Sequence, residues 1–136
     1  MRANIFALLV FTAACATDSP MSPATTLALG DWGGDHADVN ATATATFVSL
    51  NCSFGTFAGN VSLDASGRFA VSGNWNRSVG PIQLNGQMPA QLSGQVIGNT
   101  LTFAIAVNDT IAKQVSSLGP VSVVFGKQAT GQVCPV

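Results

Sequence analysis

The sequence predicts an all-β protein: a small antiparallel up-and-down β-barrel of about eight short strands, with a two-sheet β-sandwich as the alternative. Three observations carry this. All six acidic residues are Asp and only 8% of the chain is charged, so the Glu- and Lys-rich faces of surface helices are missing. Fourteen glycines and six prolines supply turns. From residue 30 onward, apolar and polar residues alternate with a period of two, the signature of half-buried strands. At 136 residues there is room for one domain.

The chain opens with "MRANIFALLVFTAAC": Arg2, an apolar run from Ile5 to Phe11, then small residues. The run is far shorter than the about 20 residues a membrane span needs, and it suits the apolar core of an export signal. "TAAC" resembles the lipobox of bacterial lipoproteins, with Thr12 where the usual pattern has Leu. That resemblance implies a lipidated Cys15 as the first mature residue, held to the membrane through its lipid anchor. Ala16, rather than Asp, follows the cysteine, which by the same resemblance implies the outer membrane. An ordinary signal peptide cut between Ala14 and Thr17 fits the same residues and would give a periplasmic or secreted protein. Residues 16–29, beginning "ATDSPMSPATT", read as a flexible tether, small and polar with two prolines. The β domain is then residues 30–136.

The strands follow in order. "HADVNATATATF" sets Ala37, Val39 and Ala41 on one face. "FVSLNCSF" sets Val48, Leu50, Cys52 and Phe54 on one face. "NVSLDASGRFAVSGNW" reads as a hairpin turning at "DASG", with Phe69, Val71, Gly73 and Trp75 on its apolar side. "RSVGPIQLNGQMP" reads as irregular. "AQLSGQVIGNTLTFAIAV" is a second hairpin turning at "GN", with Leu101, Phe103, Ile105 and Val107 aligned. "DTIAKQVSSLG" has the spacing of a helical turn on Ile111, Val115 and Leu118, ended by Gly119. "PVSVVFGK" and "GQVCPV" are the last strands.

Three cysteines are an odd count for an exported chain. With Cys15 assigned to lipid, Cys52 and Cys134 remain, and two thiols outside the cytoplasm tend to pair. A loop of roughly 80 residues closed in this way contributes about 4.5 kcal/mol. Two thiolate metal ligands are the alternative, but they need further ligands in a chain with one His and no CxxC. Neither a metal nor another cofactor is expected.

The order "GDWGGDHADV", "LNCSFGTF", "LDASGRFAVSGNW", "LSGQVIGNTLTF" and a near-terminal "VC" resembles a family of small uncharacterised bacterial lipoproteins over Gly30 to Val136. The resemblance implies an envelope location and a β fold, and no activity. The opening G-x-W strand and the later "SGQ" are also similar to avidin-type barrels, which implies a topology and no ligand.

"GDWGGDHADV" gathers three of the six acids, the only histidine and one of the two tryptophans. As one regular strand it places His36 and Asp38 in solvent. Trp32 would follow them outward unless Gly33–Gly34 forms a bulge that turns it inward. A functional reading makes His36 a general base oriented by Asp35 or Asp38, or a metal ligand with Asp31 or Asp64. Neither a G-x-S-x-G elbow nor an H-E-x-x-H pair accompanies it. Five N-x-S/T sequons, at Asn40, Asn51, Asn60, Asn76 and Asn108, arise readily in a chain rich in Asn, Ser and Thr.

The net charge is −1, and the cations Arg68, Arg77, Lys113 and Lys127 are scattered, which argues against nucleic acid as a partner. The expected function is therefore a binding or interaction module of the cell envelope, with a small apolar ligand or another envelope protein as its partner. Trp32, Phe54, Phe69, Trp75 and Phe103 are the candidate interior lining, either around a ligand or as a solid core. An envelope enzyme using His36 is the alternative.

Overall fold

A computed structural model describes residues 24–79 and 82–131. Eight antiparallel strands follow one another around a closed barrel: β1 (Gly30–Gly34), β2 (Ala37–Ala41), β3 (Ala45–Leu50), β4 (Ser53–Ala58), β5 (Arg68–Val79), β6 (Ile82–Ile97), β7 (Thr100–Asp109) and β8 (Gln114–Phe125). β1 and β8 close the ring through Trp32 opposite Phe125 and Gly33 opposite Val124. Closure settles the choice between barrel and sandwich. It leaves few free strand edges in a chain with few charges to guard them.

The two halves of the wall differ in length. β1 to β4 have five or six residues each, whereas β5 to β8 have ten to sixteen. In an up-and-down barrel the turns alternate between the two ends. The chain joins the barrel at one end, here called proximal; at the other, distal end β8 runs on past β1 to Gln114, while β5 extends past β4 at both ends.

The described part of the expected tether is tied down. Thr26 bridges Ser62, and the Leu27 and Leu63 amides donate to the Val61 and Thr25 carbonyls. Leu27 and Val61, each 2% exposed, plug the proximal end. The reason is the apolar Leu27, which gains more by burial than a free tether retains in entropy.

The interior is filled by side chains from every strand, among them Trp32, Val39, Val48, Phe57, Phe69, Trp75, Leu92, Phe103, Ile105 and Val123. Large rings fit because glycines stand opposite them. Gly55 faces Trp75, Gly73 faces Phe57, and Gly94 faces Phe69 across adjacent strands. A Cβ on Gly73 would stand 2.2 Å from the Thr56 carbonyl oxygen, and one on Gly55 would stand 2.4 Å from Trp75 Cε3. This pairing of aromatic and glycine gives a narrow barrel a solid core.

Several local expectations are corrected. Gly30 to Ala41 is a hairpin of two strands, not one strand: Asp35 and His36 form a two-residue turn, with Trp32 opposite Val39 and Gly34 opposite Ala37. The turn resets the alternation, so Trp32 faces inward without a bulge. Gly33 is needed for a different reason. A Cβ there would stand 2.2 Å from the Lys127 carbonyl oxygen, where the C-terminal segment crosses the strand.

Phe54 is not interior lining; it is 42% exposed. Asn51–Cys52 is another two-residue turn, so Leu50 pairs Ser53 and the inward residues of β4 are Gly55 and Phe57. The stretch expected to be irregular instead lies largely in β5 and β6, with a register shift at Asn76/Arg77. The expected helical turn is a short turn followed by β8. Ile111 and Val115 are exposed, and Gly119 sits at a second register shift that splits the alternation into Leu118 and then Val121. Ser62 bridges the N-terminal segment, so Val61–Leu63 is no partner strand of β5. The last expected strand, "GQVCPV", lies outside the described residues apart from Gly131.

Candidate functional site

The Asp35–His36 turn lies at the distal end. His36 takes a left-handed backbone with φ 56°, and Asn51 does the same at φ 53° in the next distal turn. Such residues are uncommon apart from glycine, and each costs about 1–2 kcal/mol unless its surroundings hold it. Here they do. The His36 amide donates to the Thr130 carbonyl at 2.7 Å, and the His36 carbonyl accepts from the Asn51 amide at 2.8 Å. The backbone of His36 thereby ties the β1–β2 turn, the β3–β4 turn and the C-terminal segment together.

Its imidazole Nε2 lies 3.5 Å from Asp35 Oδ1, with the two side chains 46% and 84% exposed. The ring edge lies beside Gly131, where a Cβ would stand 2.9 Å from Cε1. Of the two carboxylates considered for His36, this contact is with Asp35. Asp38 sits on the outer face of β2, paired with Gly33 across the hairpin. Partial burial pushes the Asp38 carboxyl up, and the Asp31 carboxylate adds to the rise. Asp31 is engaged by the Asn40 side-chain amide.

The Asp38 shift has a pH consequence. The folded chain holds that proton more strongly than the unfolded chain, so the group favours folding below its unfolded pKa. That contribution is lost as pH rises through the raised folded value. Asp38→Asn is expected to raise stability at neutral pH and to leave it nearly unchanged near pH ~3, the range where Asp is protonated in the unfolded chain too. Urea unfolding at the two pH values checks this, and equal gains at both would contradict it.

Asp64 is a turn residue. Its Oδ1 accepts from the Ser66 hydroxyl at 2.7 Å and from the Ser66 and Arg68 amides, each at 2.9 Å. The Ser66 side chain, then the Arg68 amide, hold its carboxyl below the usual range. Its hydrogen bond to Arg68 is made with the backbone amide, and the Arg68 charge lowers the carboxyl a little further.

Of the five candidate lining residues, Trp32, Phe69, Trp75 and Phe103 are buried in the core, with Trp32 edge-on to Phe125 at 5.0 Å. Cys52 is disulfide-bonded. Cys134 and Cys15 lie outside the described residues.

The long wall carries a feature the sequence reading missed. At the distal end of β5 to β8 a small recess with a cavity volume of about 20 Å³ is lined by Trp75, Arg77, Met88, Val107, Asp109, Ser116 and Leu118. Trp75 and Met88 are buried at its floor. Asp109 is also buried, its Oδ1 accepting from the Ile111 and Ala112 amides at 3.0 and 2.8 Å. That acceptance fixes the β7–β8 turn at the rim. Both charged residues were reachable by alternation. Arg77 continues the inward series Phe69, Val71, Gly73, Trp75, and Asp109 continues Leu101, Phe103, Ile105, Val107.

Comparison with protein-family models, with curated proteins and with solved structures finds no match.

Proposed function

We propose that this chain is a lipid-anchored protein of the bacterial cell envelope, acting as an interaction module through its distal mouth. The observation that carries the reading is the arrangement of the two ends. The N-terminal segment leads into the proximal end, and the recess opens at the other. A barrel tethered in this way presents its mouth away from the anchoring membrane. The signal-like start with "TAAC" supports Cys15 as the anchor, and the outer membrane as its place.

The mouth suits surface contact with a partner rather than an enclosed ligand. Core side chains fill the interior, and the cavity volume of about 20 Å³ is far below the roughly 300–1,000 Å³ of small-molecule pockets. Its apolar floor and its Arg77, Asp109 and Ser116 lining fit a shallow surface contact by an apolar side chain with a polar or charged group beside it. The partner is another envelope molecule carrying such a group.

The same reading pairs Cys52 with Cys134. Asn51 bonds His36 and His36 bonds Thr130, so the chain running on from Gly131 starts beside the Cys52 turn. Three further residues span up to about 10 Å, enough to reach it.

A photo-reactive amino acid at Ser116 tests the interaction in living cells. The expected result is a discrete adduct that is absent when the probe stands at outward-facing Thr102, and that is lost in Arg77→Glu. Equal labelling from both positions would contradict the mouth as the contact.

A further inference from the structure

We infer that the proximal end of the barrel is a membrane-contact surface, with Leu29, Ile97 and Phe125 seated in the interfacial layer of a lipid bilayer; this rests on the lipid-anchored reading above. Four exposed apolar side chains gather there: Leu29 (54% exposed), Ile97 (70%), Val124 (36%) and Phe125 (43%). They are brought together by the fold. The Phe125 amide donates to Asn99 in the β6–β7 turn that Ile97 begins. Ile97 pairs Thr100, which pairs Val124. The Phe125 ring lies against Gly30, next to Leu29, with 3.3 Å from its Cε2 to the place of a Gly30 Cβ. Exposed apolar groups clustered in this way mark contact surfaces, and an aromatic ring suits the bilayer interface.

The chain outside the described residues says what covers them. Only nine steps separate Cys15 from Ala24. As a flexible chain they span about 16 Å, and fully extended about 30 Å. From Thr25 onward the segment is pinned to residues 61–63 at this same end. An acylated Cys15 therefore holds the proximal end nearest to lipid, and the distal mouth furthest from it. Other exposed apolar residues lie elsewhere: Ile111 and Val115 toward the distal end, Phe47 and Phe54 on the side. Among the described residues the ionised groups around the proximal end are Arg68 and Lys127 against Asp31 and Asp64, which balance; Asp18 of the tether adds one negative charge. The contact is thus apolar, with no cationic excess to draw it to anionic lipid.

The test uses the full-length acylated protein in phosphatidylcholine vesicles, with a nitroxide at Ile97→Cys or at Ile111→Cys. Both positions are exposed, so the label leaves the core untouched. The expected result is a several-fold rise in the ratio of oxygen to nickel-chelate collisions at residue 97 on vesicle binding. The ratio at residue 111 stays that of water, and neither changes with ionic strength. Vesicle-bound protein in which residue 97 reports water overturns this inference and leaves the anchor standing. Lipid contact at residue 111 instead overturns the inference and the outward mouth together. Protein that carries no acyl groups and stays in the supernatant overturns the anchor, and this inference with it.

Discussion

Trp75→Ala is expected to destabilise the barrel by about 3–5 kcal/mol, the loss typical of a large aromatic removed from a core. Trp75 is 1% exposed, and Gly55 across the sheet leaves the space its ring fills. On that side no side chain can swing in to replace the ring; on the other its cross-strand partner is Met88. Its other neighbours are held in β6 to β8, where Met88, Val107 and Leu118 share the recess with it. Met88 can fill only part of the space the indole leaves, and the rest of the cavity closes only by moving sheet backbone. Urea unfolding followed by circular dichroism should show a lower midpoint with an unchanged slope. Trp75→Phe should recover much of the loss. A loss below about 1 kcal/mol, the level of a typical surface change, would contradict the solid core. Because Trp75 also floors the recess, the alanine variant should lose the Ser116 adduct as well.

Cys134→Ser is expected to cost about 4.5 kcal/mol, as should reduction of the wild-type protein. The stabilisation comes from the unfolded chain, whose ends the bridge between Cys52 and Cys134 would hold together. Thr130, four residues before Cys134, is bonded to Gly34 and His36 beside the Asn51–Cys52 turn. The check is equilibrium unfolding with and without reductant. Midpoints that coincide would contradict the pairing. Cys134→Ser in reduced protein should show no further loss, which separates the bridge from any packing of the side chain.

β5 and β7 were legible in full and the faces of β2 and β3 in part; β4 and the first halves of β6 and β8 were not. In β5 and β7 the alternation runs unbroken through Phe69, Trp75, Phe103 and Ile105, and each of these is buried where the period of two places it. β1 to β4 are five or six residues long, so one unrecognised turn misplaces a whole strand. The turns at Asp35–His36 and Asn51–Cys52 lack the Asn-Gly or Asp-Gly pair that usually marks a two-residue hairpin. They use His36 and Asn51 in a left-handed conformation instead. Reading through them as strand put Phe54 inside and hid Phe57. Trp32 was assigned inward for the wrong reason, since a turn does what a bulge was expected to do.

The candidate site was harder. "GDWGGDHADV" drew notice by composition, yet the structure shows His36 joining three backbone segments, while Trp32 packs the core. The mouth depends on the distal ends of β5 to β8, and these come from strand lengths rather than from a motif. Arg77 and Asp109 lie one alternation step beyond apolar series that were already recognised. A polar residue at the end of an inward series is the sign to follow in chains of this kind.

The central claim is a barrel anchored through Cys15, and intact mass of the protein taken from its native membrane tests it most directly. The account predicts a chain that begins at Cys15, carries acyl groups, and is two hydrogens lighter than its fully reduced form. An unacylated chain that begins near Ala16 would contradict the anchor. It would leave a secreted barrel whose two ends have no membrane to orient them.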